Sequence, residues 1–390
     1  MGWIRQSPPR VEAPAPLVLA RWILAACMAA LAGLLVFLLF ASGYLPQLQA
    51  LNIWVLSGLP LLVWVLAFGA RAYFFGGALD HYQFLHEQAE AVLRSWQQWA
   101  QRSLVVHARC VLLPDQVSAR VLVQGKDNLP ARQGQALRIA GLPTCVQARA
   151  HTGLRLLLAA MEAIFQKLQP GQTLHVTLLS DVPPDQYEAL RSAWQHQWSA
   201  VMPHWPAVTL ALSAELPYQW IEEKLKSGCP ALELIVVLQM EGGAAYSDGL
   251  AVLLLGPDGL VQAANLPVQG CLSRPMSLET DKLESELPLF LQTQANMGQV
   301  TTLLADSVDW QTLNSKVLAI SNAEGVPLSA EQLWILESLC GSPGPFSSWL
   351  TAALAVEMTE HQGRTLLVLS KGSGRSWIST VTTGEPRCNA

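Results

Sequence analysis

The hydrophobic positions of this chain form two long uninterrupted runs near its start and shorter, regularly broken runs over the remainder. The first long run, WILAACMAALAGLLVFLLFASG, covers residues 22–43, and the second, IWVLSGLPLLVWVLAFGA, covers residues 53–70. No Asp, Glu, Lys or Arg lies between Arg21 and Arg71. A helix crosses the hydrocarbon core of a bilayer with about 17–25 apolar residues, and both runs have that length. The pattern therefore predicts a transmembrane helical hairpin over residues 21–75.

A cleaved signal peptide and a buried soluble hairpin are the two competing interpretations of these runs. The first run exceeds the apolar region of a signal peptide, which has about 7–15 residues, and a second run follows it closely. A buried soluble hairpin rarely lacks charge over such a length. Both observations favour two membrane-spanning helices.

Basic residues beside the two runs set the expected orientation. They precede the first run and follow the second, whereas the link between the runs, YLPQLQALN, has none. Because cytoplasmic segments carry the excess of Lys and Arg, both chain ends are expected in the cytoplasm. The sequence thus predicts a multi-pass membrane protein with the lipid bilayer as a partner, residues 1–20 as a cytoplasmic tail and the soluble domain in the cytoplasm. The basic residues are Arg5, Arg10, Arg21, Arg71, Arg94 and Arg102.

The remainder of the chain predicts a connecting helix and one soluble domain. Residues 76–102 place apolar side chains at steps of three and four, as in an amphipathic helix. From residue 103 to about 380, strand and helix patterns alternate, which indicates a layered α/β domain; residues 381–390 form a C-terminal tail. The predicted strands are 103–114, 119–125, 173–181, 207–213, 231–240 and 251–259, and the predicted helices are 151–168, 183–201, 217–228, 329–339 and 345–357.

Composition narrows the classes of partner and site. The net charge of −5 and the absence of a basic stripe argue against nucleic acid. The seven cysteines are scattered singly, which fits a reducing compartment better than a disulfide framework or a zinc site. No histidine pair has metal-ligand spacing, whether among His151, His175, His196 and His204 or between His81 and His86. We expect neither a metal nor a cofactor.

The stretch LESLCGSPGPFSSWL, residues 336–350, has the layout of an active-site turn. The pattern predicts a glycine-containing turn that leads directly into an apolar helix, a geometry that often presents a catalytic side chain. The turn supplies Ser342, Pro343 and Gly344, but no evident acid, base or nucleophile.

Several segments together resemble the thiolase and ketoacyl-synthase superfold over roughly residues 150–380. VTLALSAELPYQWIEEKLKSGCPALELIVVLQ (208–239) is similar to the family's strand, nucleophile, helix and buried strand, and SDGLAVLLLGPDG (247–259) to its later strand. LESLCGSPGPFSSWLTAALAVEM is similar to its glycine-flanked turn and helix, and TLLVLSKGSGRSWISTV to its last hairpin. The resemblance implies a thiolase-like α/β fold.

The same resemblance implies that the catalytic groups have been replaced. The nucleophilic cysteine's place falls near Leu212, the lysine's near Glu337 and the histidine's near Ser342. No HGTGT-like motif is visible, and residues 309–325 contain no histidine. Condensation of thioesters needs a thiolate and donors that stabilise developing charge. Leu212, Glu337 and Ser342 are therefore degenerate positions, and the resemblance implies a pseudoenzyme.

Other candidate chemistry has structural explanations that the sequence favours. Ser213 and Ser342 lack the G-x-S-x-G context of a hydrolase nucleophile. KGSGRS (371–376) could hold phosphate through backbone amides, but it lacks Walker spacing and a hairpin turn is favoured. Glu241 and Asp248 are possible acids that turn chemistry explains equally well.

We expect a non-catalytic accessory or adaptor protein of the inner membrane that recruits or positions a protein partner. The layout also resembles membrane-anchored accessory proteins of type VI secretion, including lipase adaptors. The alternative is an acyl-handling enzyme near the bilayer, with Cys229 or Cys340 as its nucleophile; an immunity or transport protein is a third class. Tryptophans that favour protein contacts, although most are expected in the core, are Trp96, Trp99, Trp194, Trp198, Trp205, Trp220, Trp334 and Trp349.

Overall fold

The computed structural model divides the chain into two compact units, Gln6–Trp96 and the remainder. It describes residues 3, 12–42, 52–123, 125, 130–169, 171–203, 205, 208–258, 266–294, 299–372 and 374–384.

Helices α1 (Leu19–Ala41) and α2 (Ile53–Ala100) are long and apolar enough to cross a membrane. Their apolar side chains are largely exposed, unlike those of a core helix in a soluble protein. At 1.5 Å per residue, the 48 residues of α2 extend about 72 Å, more than twice the roughly 30 Å of a hydrocarbon core. Residues 76–102 were predicted to form a separate connecting helix. Helix α2 instead continues without a break to Ala100, so no new helix begins in this range.

Within its described residues, the larger unit, which we call the body, is built on one mixed sheet of 11 strands. The strand order is β3-β2-β4-β5-β1-β6-β11-β10-β8-β9, with β7 paired to β11. The strands are β1 Ser103–Leu112, β2 Leu174–Ser180, β3 Leu210–Ser213, β4 Leu232–Gln239, β5 Gly249–Pro257, β6 Gly270–Ser273, β7 Met276–Leu278, β8 Thr302–Ala305, β9 Leu333–Ile335, β10 Leu366–Gly372 and β11 Arg375–Thr382. The helices are α3 Ala119–Val123, α4 Val146–Phe165, α5 Tyr187–Val201, α6 Trp220–Ser227, α7 Leu283–Thr293, α8 Asn314–Ala323, α9 Leu336–Cys340 and α10 Ser347–Gln362.

Strand β1 joins the two halves of this sheet. Along one edge it pairs antiparallel with β5, from Leu104 with Pro257 to Leu112 with Leu250. Along the other edge its first four residues pair antiparallel with β6. The first strand of the body is therefore held by segments made much later in the chain.

Helix α10 lies in the core of the body, and its sequence explains why. The segment SSWLTAALAVEM is apolar or small on every side, as a helix buried all round must be. Its buried residues share one hydrophobic cluster with the inner faces of β1, β5, β10 and β11. A second cluster lies under α4 and α5 on β2, β4 and β5, and a third under α7 and α8.

The predicted α/β fold class is confirmed, and two of the predicted elements are wrong. Residues 119–125 were expected to form a strand, but Ala119–Val123 form α3, whose first turn bonds the amides of Val121 and Leu122 to the Ser118 carbonyl. The range 329–339 was expected to be a helix, but its apolar segment Leu333–Ile335 pairs parallel with β8. In both segments long-range packing overrides the local pattern.

Candidate functional site

The turn between α9 and α10 is covered by the chain's own backbone. Gly341 adopts a φ of +82°, and a Cβ built there would lie 2.2 Å from the carbonyl oxygen of Gln135. That same oxygen accepts a hydrogen bond of 2.8 Å from the amide of Ser342. Because the obstacle is backbone, no side chain fits at residue 341. Gly341 is therefore required for packing, whatever chemistry such a turn supports elsewhere.

The segment that covers the turn, residues 130–142, is held by Ser247 and Asp248 at the start of β5. The Ser247 hydroxyl accepts from the amide of Leu137 at 2.9 Å and donates to the carbonyl of Gln135 at 3.1 Å. Asp248 is fully buried and bonds Arg138 at 2.7 Å and Arg149 at 2.6 Å. Asp248, which was considered as a possible acid, and its neighbour Ser247 therefore anchor a loop.

A small cavity of 20 Å³ lies beside the turn. A cavity must offer at least about 10–15 Å³ to hold one water molecule, so this one holds about one. Glu337, Cys340, Ser342 and Ser347 line it. No substrate of acyl-chain size enters a space of this volume.

The three positions that the resemblance aligns with the family's catalytic residues do not all line one cavity. Glu337 and Ser342 line the same small cavity. Leu212 packs instead into the hydrophobic cluster that contains α4 and α5, whereas α10 belongs to the cluster that contains Ile235 and Val237 on the other face of the sheet. Successive side chains of a strand point to opposite faces of the sheet. An error of one residue in the alignment along β3 would therefore place the nucleophile's side chain on the wrong face.

A buried carboxylate that the sequence analysis missed, Asp306, ties four segments together. It follows the last residue of β8 and accepts from the Lys371 amide at 2.6 Å, the Ser347 hydroxyl at 3.2 Å and the Trp310 indole at 3.2 Å. Its carbonyl accepts from the amide of Glu337 at 3.1 Å. Burial raises the pKa of Asp306 to about 6, although these hydrogen bonds oppose the rise. The sequence signal that could have identified Asp306 is its position directly after the apolar strand TLLA.

The raised pKa of Asp306 predicts a pH dependence of stability. Between pH 3.8 and about 6, the folded state holds a proton that the unfolded state has released, so stability falls as pH rises through that window. The full loss, present above about pH 6, is on the order of 3 kcal/mol. In Asp306→Asn, urea unfolding between pH 4 and 7.5 should give a stability relative to wild type that increases with pH. A difference that stays constant across this range would contradict the prediction.

Burial opposes formation of a thiolate at two cysteines of the body, Cys340 and Cys110. Cys340 is 4% exposed, and burial raises the pKa of its thiol far above the ordinary value. Burial raises the pKa of Cys110 to about 11. Cys229 is exposed and lines a cavity of only 10 Å³ beside Lys224 and Glu233. A catalytic thiol needs the opposite shift.

Among the described residues, no group of three or more His, Cys, Asp or Glu side chains is placed to hold a metal ion. His151 contacts Gln197, and His175 contacts Glu233. His204 lies outside the described residues. His107, which was not considered from the sequence, is fully buried with Nδ1 3.0 Å from the Pro267 carbonyl.

A second, larger cavity of 240 Å³ opens to solvent on another side of the α10 N-terminus. Three segments form it: the loop after β3, the start of α10 and the β10–β11 hairpin. KGSGRS is that hairpin, as predicted, with Gly372 paired to Arg375. The sequence did not reveal this cavity, because the loop after β3 lies more than a hundred residues before the other two segments in the chain. Its lining consists of Glu215, Leu216, Pro217, Tyr218, Gln219, Pro345, Ser348, Gly372, Arg375 and Trp377.

Half of the tryptophans considered for protein contacts are core residues. Trp194, Trp198, Trp334 and Trp349 are each less than 9% exposed. The Trp349 indole donates to the Leu216 carbonyl at 2.9 Å, which fixes the loop after β3 to α10. These four side chains are not available as a docking surface.

Solved structures with a similar fold include ketosynthases, whereas no family model and no curated protein matches the sequence. The oxazolomycin ketosynthase domain of Streptomyces albus JA3453 is 14% identical, with a TM-score of 0.50, over 73% of this chain and 96% of its own. A type II polyketide ketosynthase solved with its acyl-carrier protein is 11% identical, with a TM-score of 0.50, over 72% and 99%. The ishigamide ketosynthase/chain length factor is 11% identical, with a TM-score of 0.50, over 73% and 100%. At such identities the likeness shows the fold alone, and it confirms a thiolase-like body.

Proposed function

We propose that this chain is a non-catalytic, membrane-anchored accessory protein whose thiolase-like body binds a protein partner. The anchor would be α1 and the first part of α2, spanning the bacterial inner membrane with the body in the cytoplasm. A role in type VI secretion belongs to the same proposal and rests on the resemblance of layout.

One observation carries the non-catalytic part of the proposal. The turn that the resemblance aligns with the family's catalytic turn is bonded to residues 130–142 and lines a cavity of only 20 Å³. The thiol beside that turn, Cys340, is buried and held protonated by its surroundings. A binding role keeps the fold and its surfaces without requiring a substrate to reach this turn.

The non-catalytic proposal makes a measurable prediction that the competing acyl-handling function would contradict. Full-length protein in detergent, incubated with a series of acyl-CoA thioesters, should show neither an acyl adduct by intact mass nor release of free CoA above the rate without protein. The physical reason is that no thiolate-stabilising environment surrounds Cys340 or Cys110. Cys229 is the exposed thiol to follow.

An adduct that disappears in Cys229→Ala or Cys340→Ala would establish the enzyme alternative instead. The binding part is tested separately by mild detergent solubilisation of bacterial membranes, cross-linking and affinity capture of the full chain. A stoichiometric polypeptide that is absent from a capture with an unrelated two-helix membrane protein would support the proposal. Capture of no polypeptide under these conditions would refute it.

A further inference from the structure

The open cavity of 240 Å³ at the start of α10 has features of a built anion site. Ser348 is 6% exposed and lines this cavity, yet its hydroxyl has no partner among the described residues. Its backbone amide belongs to the first turn of a 16-residue helix, and no acceptor for it lies in the described part of the chain. The first-turn amides and the helix dipole favour a negative group there. A nearly buried hydroxyl and an amide thus both lack the acceptor that an anion would supply.

Arg375 adds a full positive charge to the same cavity. It is the first residue of β11, and the tight hairpin that places it contains Gly374 at a φ of +76°. The side chain is exposed, and within the described ranges it makes no ion pair or hydrogen bond. A guanidinium of this kind binds a two-oxygen acceptor through parallel N–H groups.

The remaining lining limits the charge and the shape of the ligand. Glu215 contributes a carboxylate to the same lining as Arg375. A monoanion is therefore favoured over a phosphate dianion, which Glu215 would repel more strongly. Trp377 and Tyr218, which are 5% and 2% exposed, provide aromatic walls for an apolar body attached to the anion. The volume lies below the 300–1,000 Å³ typical of drug-sized ligands, so the bound group is small.

The walls of this cavity are fixed before any ligand arrives. Tyr218 forms a hydrogen bond of 3.2 Å with Ser379 of β11 and an edge-to-face contact with Trp349 of α10. The Trp349 indole holds the Leu216 carbonyl. A pre-formed site loses little conformational entropy when it binds, so even a small group can be held.

We propose that this cavity, formed by Ser348, Arg375, Tyr218 and Trp377, binds the carboxylate of a small organic group, either the C-terminal residue of a polypeptide or a free organic acid. The Arg375 guanidinium donates to the two carboxylate oxygens, and the Ser348 hydroxyl and amide donate to one of them as well. The apolar part of the ligand contacts the two aromatic rings. The inference deepens the proposed function, because a polypeptide C-terminus bound here would belong to the recruited partner.

The test is isothermal titration of the full chain in detergent micelles with four probes. These are acetyl-Gly-Gly-Leu with a free carboxylate, the same peptide as its C-terminal amide, 4-methylpentanoate and inorganic phosphate. The free-acid peptide should bind at least about tenfold more tightly than its amide, because a charge-assisted hydrogen bond contributes enough for a tenfold change. Phosphate should bind more weakly than the free acid. If 4-methylpentanoate matches the free-acid peptide, the ligand is a free acid; if it binds much more weakly, the ligand is a polypeptide end.

Matched variants separate this site from general effects of charge and folding. Arg375→Gln should weaken free-acid binding about tenfold. Arg364→Gln, which removes an exposed arginine just before the start of β10, should leave that binding unchanged. Ser348→Ala should also weaken binding, whereas Ser321→Ala, at a buried serine without a described partner in α8, should not. Absence of binding by any carboxylate probe, equal binding of acid and amide, or insensitivity to Arg375→Gln would overturn the inference. If a protein partner is still captured in that case, the proposed function stands and only this site is wrong.

Discussion

Replacing Asp248 by alanine is expected to destabilise the body by about 3–5 kcal/mol, the usual cost of leaving one member of a buried ion pair alone. The Asp248 side chain is completely buried, and its partner Arg149 is only 11% exposed. Asp248 also accepts from the amide of Ile139 at 2.9 Å. Its removal leaves the Arg149 charge and this amide without their acceptor, and it releases residues 130–142 from the start of β5. Urea unfolding of the full chain in detergent, followed by tryptophan fluorescence, measures the change.

Asp309→Ala is the matched control for this substitution. Asp309 pairs with Lys371 at 2.6 Å, but the two side chains are 62% and 53% exposed. A pair so well hydrated contributes about 0–1 kcal/mol. A loss below about 1 kcal/mol for Asp248→Ala, equal to that of the control, would show that the covering segment is not held by this carboxylate.

Introducing Asp at Leu31 and Leu62 together is expected to abolish stable insertion in the membrane. Both side chains are more than half exposed and lie near the middle of the apolar stretches of α1 and α2. Exchanging a leucine for an aspartate at the centre of a spanning helix costs about 3–4 kcal/mol, and the double variant carries this cost twice. Carbonate extraction of bacterial membranes should move the variant from the pellet to the supernatant or to the degraded fraction.

Val92→Asp provides the comparison on the same long helix. Val92 is 56% exposed and lies among Glu87, Glu90 and Arg94, beyond the charge-free run. This variant should remain in the carbonate-resistant pellet. Retention of the Leu31 and Leu62 double variant in the pellet would contradict a membrane-spanning hairpin and favour attachment through another part of the chain.

The elements of the body could be predicted from the sequence where the local pattern and the tertiary environment agree. LELIVVLQ is apolar almost throughout and forms β4, which is buried along its whole length. By contrast, ARVLV contains residues common in strands but closes a helical turn, since Ala119 and Leu122 are buried on one helical side. LWI became a strand because the edge of β8 was available to it. Local sequence contains no information about that edge.

The candidate site was predicted only as far as neighbours in the chain determine it. Glu337 and Ser342 line one cavity because a short helix and a turn connect them. The position of Leu212 depends on which face of β3 packs on α4 and α5, and alternation along a strand does not reveal the register. Asp306 and Arg375 gain their partners or their place from contacts between β8, α10 and the β10–β11 hairpin. Such contacts appear only once the sheet is assembled.

The double pairing of β1 has a consequence for biosynthesis. This strand leaves the ribosome directly after α2, but its two neighbours, β5 and β6, are translated only after more than a hundred further residues. At a translation rate of about 5–20 residues per second, the apolar segment SLVVHARCVL remains without its partner strands for roughly 7–30 seconds. During that delay the exposed apolar segment is prone to aggregation.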